Sequence, residues 1–290
     1  MNKKIMKTQS IAIVTDSTAD IPDSVLETYD IHMVNNYVVI DGKSIEDRKE
    51  ITRSEFYTAL PHLKEIPTTA TASIGIYQKL YEQLFAEGKD LILSIHASAK
   101  LSGIFNAASA AANYFYGKVK VIDSLSLSMG LGFQVIAAAQ AASIGLSLDA
   151  IMKRLENLRQ RIKLIAMLDT LMYVHRSGRV SWAKAWVGEF LSFKPFLEVI
   201  NGQVLNLGEV RTYRKGFQRL VAFLRKYSPI ESLAILHTNA EEQAKAFLEE
   251  VRDILPNQFF IVNVTTVIGS HTGPNGLGFA VVRKESETDW

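Results

Sequence analysis

The first half of the chain alternates short apolar runs with helical patterns, and that rhythm restricts the fold more than any other feature. Residues 11–15 read as a buried strand, and Asp16-Ser17-Thr18 supplies capping groups ahead of a helix over 22–29. Residues 31–40 are again β-rich and run into Asp41-Gly42, a strong turn signal. A helix over 54–63 follows with Ser54 as its cap, then a helix over 77–87, a strand over 90–95, a small-residue helix over 103–116 and a strand over 118–122. Strands that alternate with helices in this way build an α/β layer around a mainly parallel sheet. Polar groups that act on ligands collect at the carboxyl ends of such strands. Asp16-Ser17, His96 to Ser98 and Asp123-Ser124 all fall there.

After a basic helix over 148–162 the rhythm changes. Residues 163–168 read as a strand and 170–176 as a short helix. Strands over 196–200 and 203–207 flank Asn201-Gly202, a hairpin signature. A helix over 215–227 and a strand over 232–237 come next, and Thr238-Asn239-Ala240-Glu241 has the form of a capping box opening a helix to about Leu255. A last pair of strands brackets a glycine-rich turn. The expected architecture is an N-terminal α/β layer over residues 1–163 and a smaller α/β unit with a mixed sheet over 164–290, with any ligand site between them. No internal repeat or low-complexity linker interrupts the chain.

Composition narrows the function. With 290 residues and 48% hydrophobic content the chain can bury a large core. A formal net charge of +2 gives no sign of a nucleic-acid binder. The absence of cysteine removes disulfides, thiolate metal sites and cysteine nucleophiles, and fits a reducing cytoplasm. The basic start Met1 to Lys7 is followed by too short an apolar run to be a secretion signal. The apolar stretch over 129–146 is interrupted by Gln134, Gln140 and Ser143, so it reads as a tightly packed buried helix and not a membrane span.

Several chemistries find no support. No phosphate-binding Gly-x-x-x-x-Gly-Lys-Ser/Thr loop and no Gly-x-Gly-x-x-Gly follows the first strand. Asp16 lacks the partner carboxylate two positions on, where Thr18 stands, so Asp16 and Ser17 read first as caps that also border the site. No Gly-x-Ser-x-Gly elbow is present. His32, His62, His96, His175, His237 and His271 are scattered without metal-ligand spacing, so neither a metal nor a cofactor is expected.

What remains is a set of hydroxyls and one histidine at loop positions: Thr68-Thr69, Ser98, Ser102 and His271. The β-branched run Thr265 to Ile268 stops at Gly269, presents His271 at a strand end and re-enters an apolar strand through Gly273 to Gly278. Such groups can hold a carboxylate without reacting with it. A site with one polar end and an apolar interior suits an amphiphile.

The order of several segments resembles the DegV family of bacterial fatty-acid-binding proteins. They are Thr15 to Asp20, Pro67 to Ser73, Leu101-Ser102-Gly103, Leu168 to Leu171 with Ser177-Gly178-Arg179, Lys194-Pro195, Arg211-Thr212 and Gly269 to Gly278. The resemblance implies a cytoplasmic carrier, not itself an enzyme, that encloses one long-chain fatty acid between two units. It implies a carboxylate held by Thr69, Ser102 and His271, with Asp16, Ser17, Ser98, Gly103 and Gly273 as further lining candidates. It also implies a partner, an ATP-dependent fatty acid kinase that makes an acyl phosphate for phospholipid synthesis, with Arg179 and Arg211 serving transfer or docking. The chain departs from the family pattern in Thr69-Ala70-Thr71-Ala72-Ser73, which lacks the usual glutamine and proline, and in Ile104, Ser177 and Asn275. Two alternatives belong to other classes. One is a substrate-binding subunit for a small carbonyl compound, as in dihydroxyacetone kinases, to which the family is structurally akin. The other is an acyl-ester hydrolase working through Ser102 or Ser124.

Overall fold

The computed structural model describes residues 9–180, 182–183 and 193–285; the basic start Met1 to Lys7 lies outside them. The alternating first half forms a four-stranded sheet from β1 (Ile11–Asp16), β2 (Ile31–Val34), β6 (Leu91–His96) and β7 (Val119–Asp123), in the order β2-β1-β6-β7. Every pairing in it is parallel. All six residues of β1 are buried, as a central parallel strand covered on both faces requires.

The β-rich stretch over 31–40 breaks at Asn35-Asn36. Its second part, β3 (Tyr37–Ile40), leaves the parallel sheet and pairs antiparallel with β4 (Lys43–Glu46) and β5 (Thr68–Ala70). Asp41 and Gly42 both take positive φ, 48° and 76°, which matches the two-residue turn the Asp-Gly pair signalled. The strand pattern of β4 and β5 is too short and polar to read from sequence. β5 matters because it carries Thr69.

The second half builds a six-stranded mixed sheet of order β10-β9-β8-β13-β11-β12. Its members are β8 (Ile162–Met167), β9 (Lys194–Ile200), β10 (Gln203–Val210), β11 (Ile230–His237), β12 (Gln258–Asn263) and β13 (Leu277–Arg283). Only β11 and β12 pair in parallel. Asn201 and Gly202 turn the β9–β10 hairpin with φ of 49° and 76°. The hairpin tip docks on the first sheet: Ser98 Oγ donates to Gly202 O at 2.9 Å and Lys100 Nζ to Asn201 O at 2.9 Å.

Between the two sheets lies α5 (Ser128–Ser143), buried on nearly every side. A helix apolar all round belongs inside a core, not on a surface. Its alanines and glycines let it contact β1 and β6 on one side and β8 and β13 on the other. One apolar core therefore runs from Ile13 through Ala138 to Leu236 and Ala280. The opposite face of the six-stranded sheet is covered by α8 (Tyr213–Arg225) and α9 (Glu241–Glu250), with Phe196, Phe247 and Phe279 between them.

Three local expectations are corrected. The cap of α2 (Arg53–Ala59) is Thr52, not Ser54, and a full capping box joins Thr52 to Glu55. No capping box opens α9: Thr238 Oγ1 instead accepts from Gly276 N at 2.6 Å, and the helix starts after Ala240, whose N–H donates to His237 Nδ1 at 3.1 Å. The run after Thr265 is not a strand but a helix, α10 (Thr266–Thr272). Its start is fixed by carboxylates from far away in sequence. Asp20 accepts from Thr265 N at 2.8 Å, while Asp47 accepts from the hydroxyls of Thr265 and Thr266. Asp20, Asp47, Thr265 and Thr266 are all fully buried.

Replacing Asp47 by Ala would strand two buried hydroxyls. Hydrogen bonds to charged groups contribute about 1.5–3 kcal/mol each, so Asp47→Ala is expected to cost about 3 kcal/mol of unfolding free energy. Urea denaturation followed by circular dichroism measures it, and a loss below ~1 kcal/mol would remove Asp47 as the anchor of α10.

Candidate functional site

A mainly apolar cavity lies against the inner face of the six-stranded sheet, at the carboxyl ends of the first sheet's strands. Counting its open mouth, it encloses about 1170 Å³. Leu164 and Ala166 of β8, Leu197 and Val199 of β9, Val204 of β10 and Leu236 of β11 form its floor. Side-chain alternation along β8 explains the selection, because Ile165 and Met167 face the other core. Midway, Gly278 pairs with Ala166, and a Cβ on Gly278 would meet the Ala166 backbone at 2.9 Å. Two small residues thus deepen the floor where β8 and β13 pair. Leu127 and Ser128 from the start of α5, Ile104 from α4 (Ile104–Ala112) and Val267 and Ile268 from α10 close the remaining sides.

One end of this apolar space is polar. Thr69, Ser102 and His271 all border it, brought together from β5, the loop before α4 and the last turn of α10. Thr69 Oγ1 lies 3.1 Å from His271 Nε2. His271 Nδ1 is buried and has no hydrogen-bond partner among the described residues. Burial, and secondarily the positive charge of Arg179, hold the His271 pKa down to about 4. The ring is therefore neutral at pH 7, with one N–H to donate. Arg179 is exposed; its guanidinium donates to Ser177 O at 3.0 Å and, at 3.4 Å, to Thr69 Oγ1. Ser102 Oγ accepts from Ile104 N at 3.4 Å, so its hydroxyl proton faces no acceptor in that bond.

The other sequence candidates sit elsewhere. Arg211 is exposed, away from the cavity lining, and stacks its guanidinium 5.3 Å over the Phe193 ring. Gly103 stands just outside the cavity as the N-cap of α4, in an adjoining polar depression. Gly273 ends α10 with φ of 77° where a Cβ would overlap the Tyr173 ring, and Gly269 gives the same clearance to Tyr57. These two glycines serve aromatic packing, while Gly276 and Gly278 border the cavity. Asn275 holds a left-handed φ of 60° in the same turn.

Asp16, Ser17 and Ser98 are fully buried and do not border the cavity. Asp16 Oδ2 lies 2.9 Å from His96 Nδ1, His96 Nε2 2.7 Å from Ser94 Oγ, and Ser94 Oγ 2.8 Å from Tyr81 OH. Burial works to raise the Asp16 pKa, but the bond to His96 and those from Thr18 outweigh it and the pKa is lowered. An Asp–His–Ser chain is present, yet all three residues are fully buried and Ser94 is bonded to a tyrosine. None of the three borders the apolar cavity, and the chain of bonds braces the ends of β1 and β6. Ser124 Oγ likewise donates to Ser126 O at 3.1 Å. Among the described residues no group of three or more His, Asp or Glu converges on a metal site, and no helix is long and apolar enough to cross a membrane.

Sequence reading missed the floor residues, because an alternating strand does not reveal which face meets a ligand and which a neighbouring helix. It also missed Lys100, which flanks the polar end and has an ordinary surface context in sequence.

Comparisons with known proteins bear on the family and the fold. A family model described as "Uncharacterised protein, DegV family" matches residues 10–284. Protein DegV of Bacillus subtilis is 34% identical over 277 residues, 93% of this chain and 98% of that protein. Its solved structure, described as a fatty acid binding protein, has a TM-score of 0.86 at 32% identity, covering 95% of this chain and all (100%) of that one. A DegV family protein from Thermus thermophilus, described by its fatty acid binding, reaches a TM-score of 0.88 at 30% identity, covering 95% and 100%. With the model match running over nearly all of its length, the chain belongs to the DegV family.

Proposed function

We propose that this protein binds a long-chain fatty acid in the apolar cavity, with the carboxylate held by Thr69, Ser102 and His271 at the polar end. It presents that acid, without transforming it, to a separate ATP-dependent fatty acid kinase. The observation that carries the reading is a mainly apolar cavity bordered by the hydrogen-bonded pair Thr69 and His271. In this reading the chain divides near residue 163 into two units that grip the ligand between them. The fatty acid binding of the B. subtilis and T. thermophilus relatives supports the ligand class. The kinase and acyl phosphate rest on the family resemblance of Ser177-Gly178-Arg179 and Arg211-Thr212, with exposed Arg179 beside the polar end as the local support.

The energetics are favourable. Each buried methylene contributes about 0.8 kcal/mol, so about fifteen contribute on the order of 12 kcal/mol before association costs. A carboxylate left unpaired in such a space would cost several kcal/mol, which the hydroxyls and the imidazole N–H offset.

Native mass spectrometry of the purified protein tests the ligand class: a co-purifying long-chain acid supports the carrier, and a polar adduct or an acyl-serine refutes it. Ser102→Ala and His271→Ala are each expected to keep the fold and weaken palmitate binding about ten- to a hundredfold, the effect of one hydrogen bond to a charged group. Unchanged affinity in both variants would overturn the head-group assignment.

A pH prediction follows from His271. Its folded pKa of about 4 lies below the usual histidine value, so between pH 6.5 and 4 the unfolded chain binds the proton and the folded one does not. Stability is therefore fully present above about pH 6.5 and falls as pH drops toward 4. His237, also depressed to about 4 by burial, acts in the same direction. Urea midpoints of the ligand-free protein at pH 7.5 and 5 measure the slope. His271→Gln is expected to flatten it, and an identical slope in that variant would contradict the neutral buried ring.

A further inference from the structure

Asn36 stands where the chain leaves the parallel sheet, between β2 and β3, and only 1% of its surface is exposed. Every polar group it carries is engaged. Its backbone N–H donates to Ser17 Oγ at 3.2 Å, and its carbonyl accepts from Asp47 N at 2.9 Å. Its side-chain amide donates through Nδ2 to Asp16 Oδ1 at 3.4 Å and accepts through Oδ1 from Ala72 N at 3.4 Å. A carboxylate on one side and an N–H on the other admit only this orientation of the amide. The residue does not border the apolar cavity.

Each of these bonds leads to one of the three residues proposed to hold the carboxylate. β3 begins directly after Asn36 and pairs Val38 with Thr69, while the bond from Ala72 fixes the chain just beyond Thr69. Asp47 is held through its N–H and in turn accepts from the hydroxyls of Thr265 and Thr266, which start the helix of His271. Asp16 Oδ2 accepts from Ala97 N at 3.2 Å, at the head of the loop that carries Ser102, and Ser102 N donates to Ser98 O at 3.0 Å within that loop. Thr69, Ser102 and His271 belong to three segments far apart in sequence, and Asn36 is where their supports meet.

We propose that Asn36 is a positioning residue of the polar end: through Ala72, Asp47 and Asp16 it keeps Thr69, His271 and Ser102 in mutual register without touching the ligand. An amide suits this place because one short side chain supplies a donor and an acceptor at once. Its loss leaves the N–H of Ala72 without its acceptor in a buried setting, and the segment of Thr69 must shift to recover one. For palmitate the inference rests on the fatty-acid reading above. For the contact between Thr69 and His271 it rests on the bonds of this chain alone.

Calorimetry with palmitate and a double-mutant cycle test it. Asn36→Ala is expected to weaken palmitate about tenfold, within the range of one hydrogen bond to a charged group. In a Thr69→Ala/His271→Ala background the same change is expected to cost about twofold or less, because the groups it positions are gone. A residue that only stabilised the fold would cost the same in both backgrounds. NMR titration of the ligand-free protein gives a readout independent of palmitate. His271, held to about 4 in the parent by burial, is expected to titrate toward the ordinary value of 6.5 in Asn36→Ala as its helix and Thr69 separate. Should Asn36→Ala lose its cooperative urea transition, Asn36→Ser, which leaves a hydroxyl in the same place, serves in both measurements. Equal losses in the two backgrounds together with an unmoved His271 titration would overturn the proposal. If the parent protein failed to bind palmitate, the fatty-acid reading would fall, while the titration would still decide the role of Asn36.

Discussion

Two buried carboxylates from the N-terminal half, Asp20 and Asp47, hold the beginning of the helix that carries His271. Burial raises the Asp20 pKa in spite of Arg53 nearby, the hydroxyl of Ser128 and the N–H of Thr265. Such groups are costly inside a protein unless every oxygen is matched. Here they are matched by Thr265 N, Ser128 Oγ, Thr265 Oγ1 and Thr266 Oγ1, so the position of α10 is specified by bonds that no small shift would preserve. Tyr57 adds a further tie through Val264 O at 2.9 Å. The bonds from Asp20, Asp47 and Tyr57 to residues 264–266 span more than two hundred positions, and the cavity lies beside the joint. His271 reaches Thr69 only because α10 is held where it is.

The alternation in the first half was legible because the strands are buried on both faces and the helices between them have ordinary turn and cap residues. The two tight turns, Asp41-Gly42 and Asn201-Gly202, were legible for the same local reason: each pair accepts positive φ. The C-terminal glycine segment was not. Thr265 to Ile268 has the β-branched composition of a strand, and its intrinsic preference is overridden by carboxylates at positions 20 and 47 that satisfy the helix start. The same holds for Thr238, whose hydroxyl prefers the N–H of Gly276 to the helix it precedes. Local chemistry identified residues that form hydrogen bonds, but tertiary contacts decided with which partner.

The polar end of the site was more legible than its apolar interior. Thr69, Ser102 and His271 stand out because hydroxyls and an imidazole at loop positions can hold a carboxylate, and the family resemblance points to the same three. Leu164, Ala166, Leu197, Val199 and Leu236 do not, since each would serve equally well in a core. Their role follows only from which side of the sheet α5 and α10 leave uncovered. Asp16, Ser17 and Ser98 mark the limit of the strand-end rule. They occupy the ends where ligands collect in open sheets, but β3, the hairpin tip and the loop at residues 97–103 cover them, and they bond to each other's neighbours.

In the fatty-acid reading proposed above, the neutrality of His271 sets how the ligand would be held and released. A protonated imidazole beside a carboxylate in a dry pocket would form a strong charge pair, and release would have to break it. A neutral ring, kept so by burial and by the adjacent guanidinium, contributes a hydrogen bond of about 1–3 kcal/mol instead. Affinity then comes mostly from the acyl chain, and the head group sets orientation. In the proposed pose the carboxyl end would face Arg179 and the outer depression, while the chain would lie on the floor built by β8, β9 and β13. A reagent approaching from outside would then meet the carboxyl group first, and the apolar contacts that retain the ligand would not be disturbed when that group is modified.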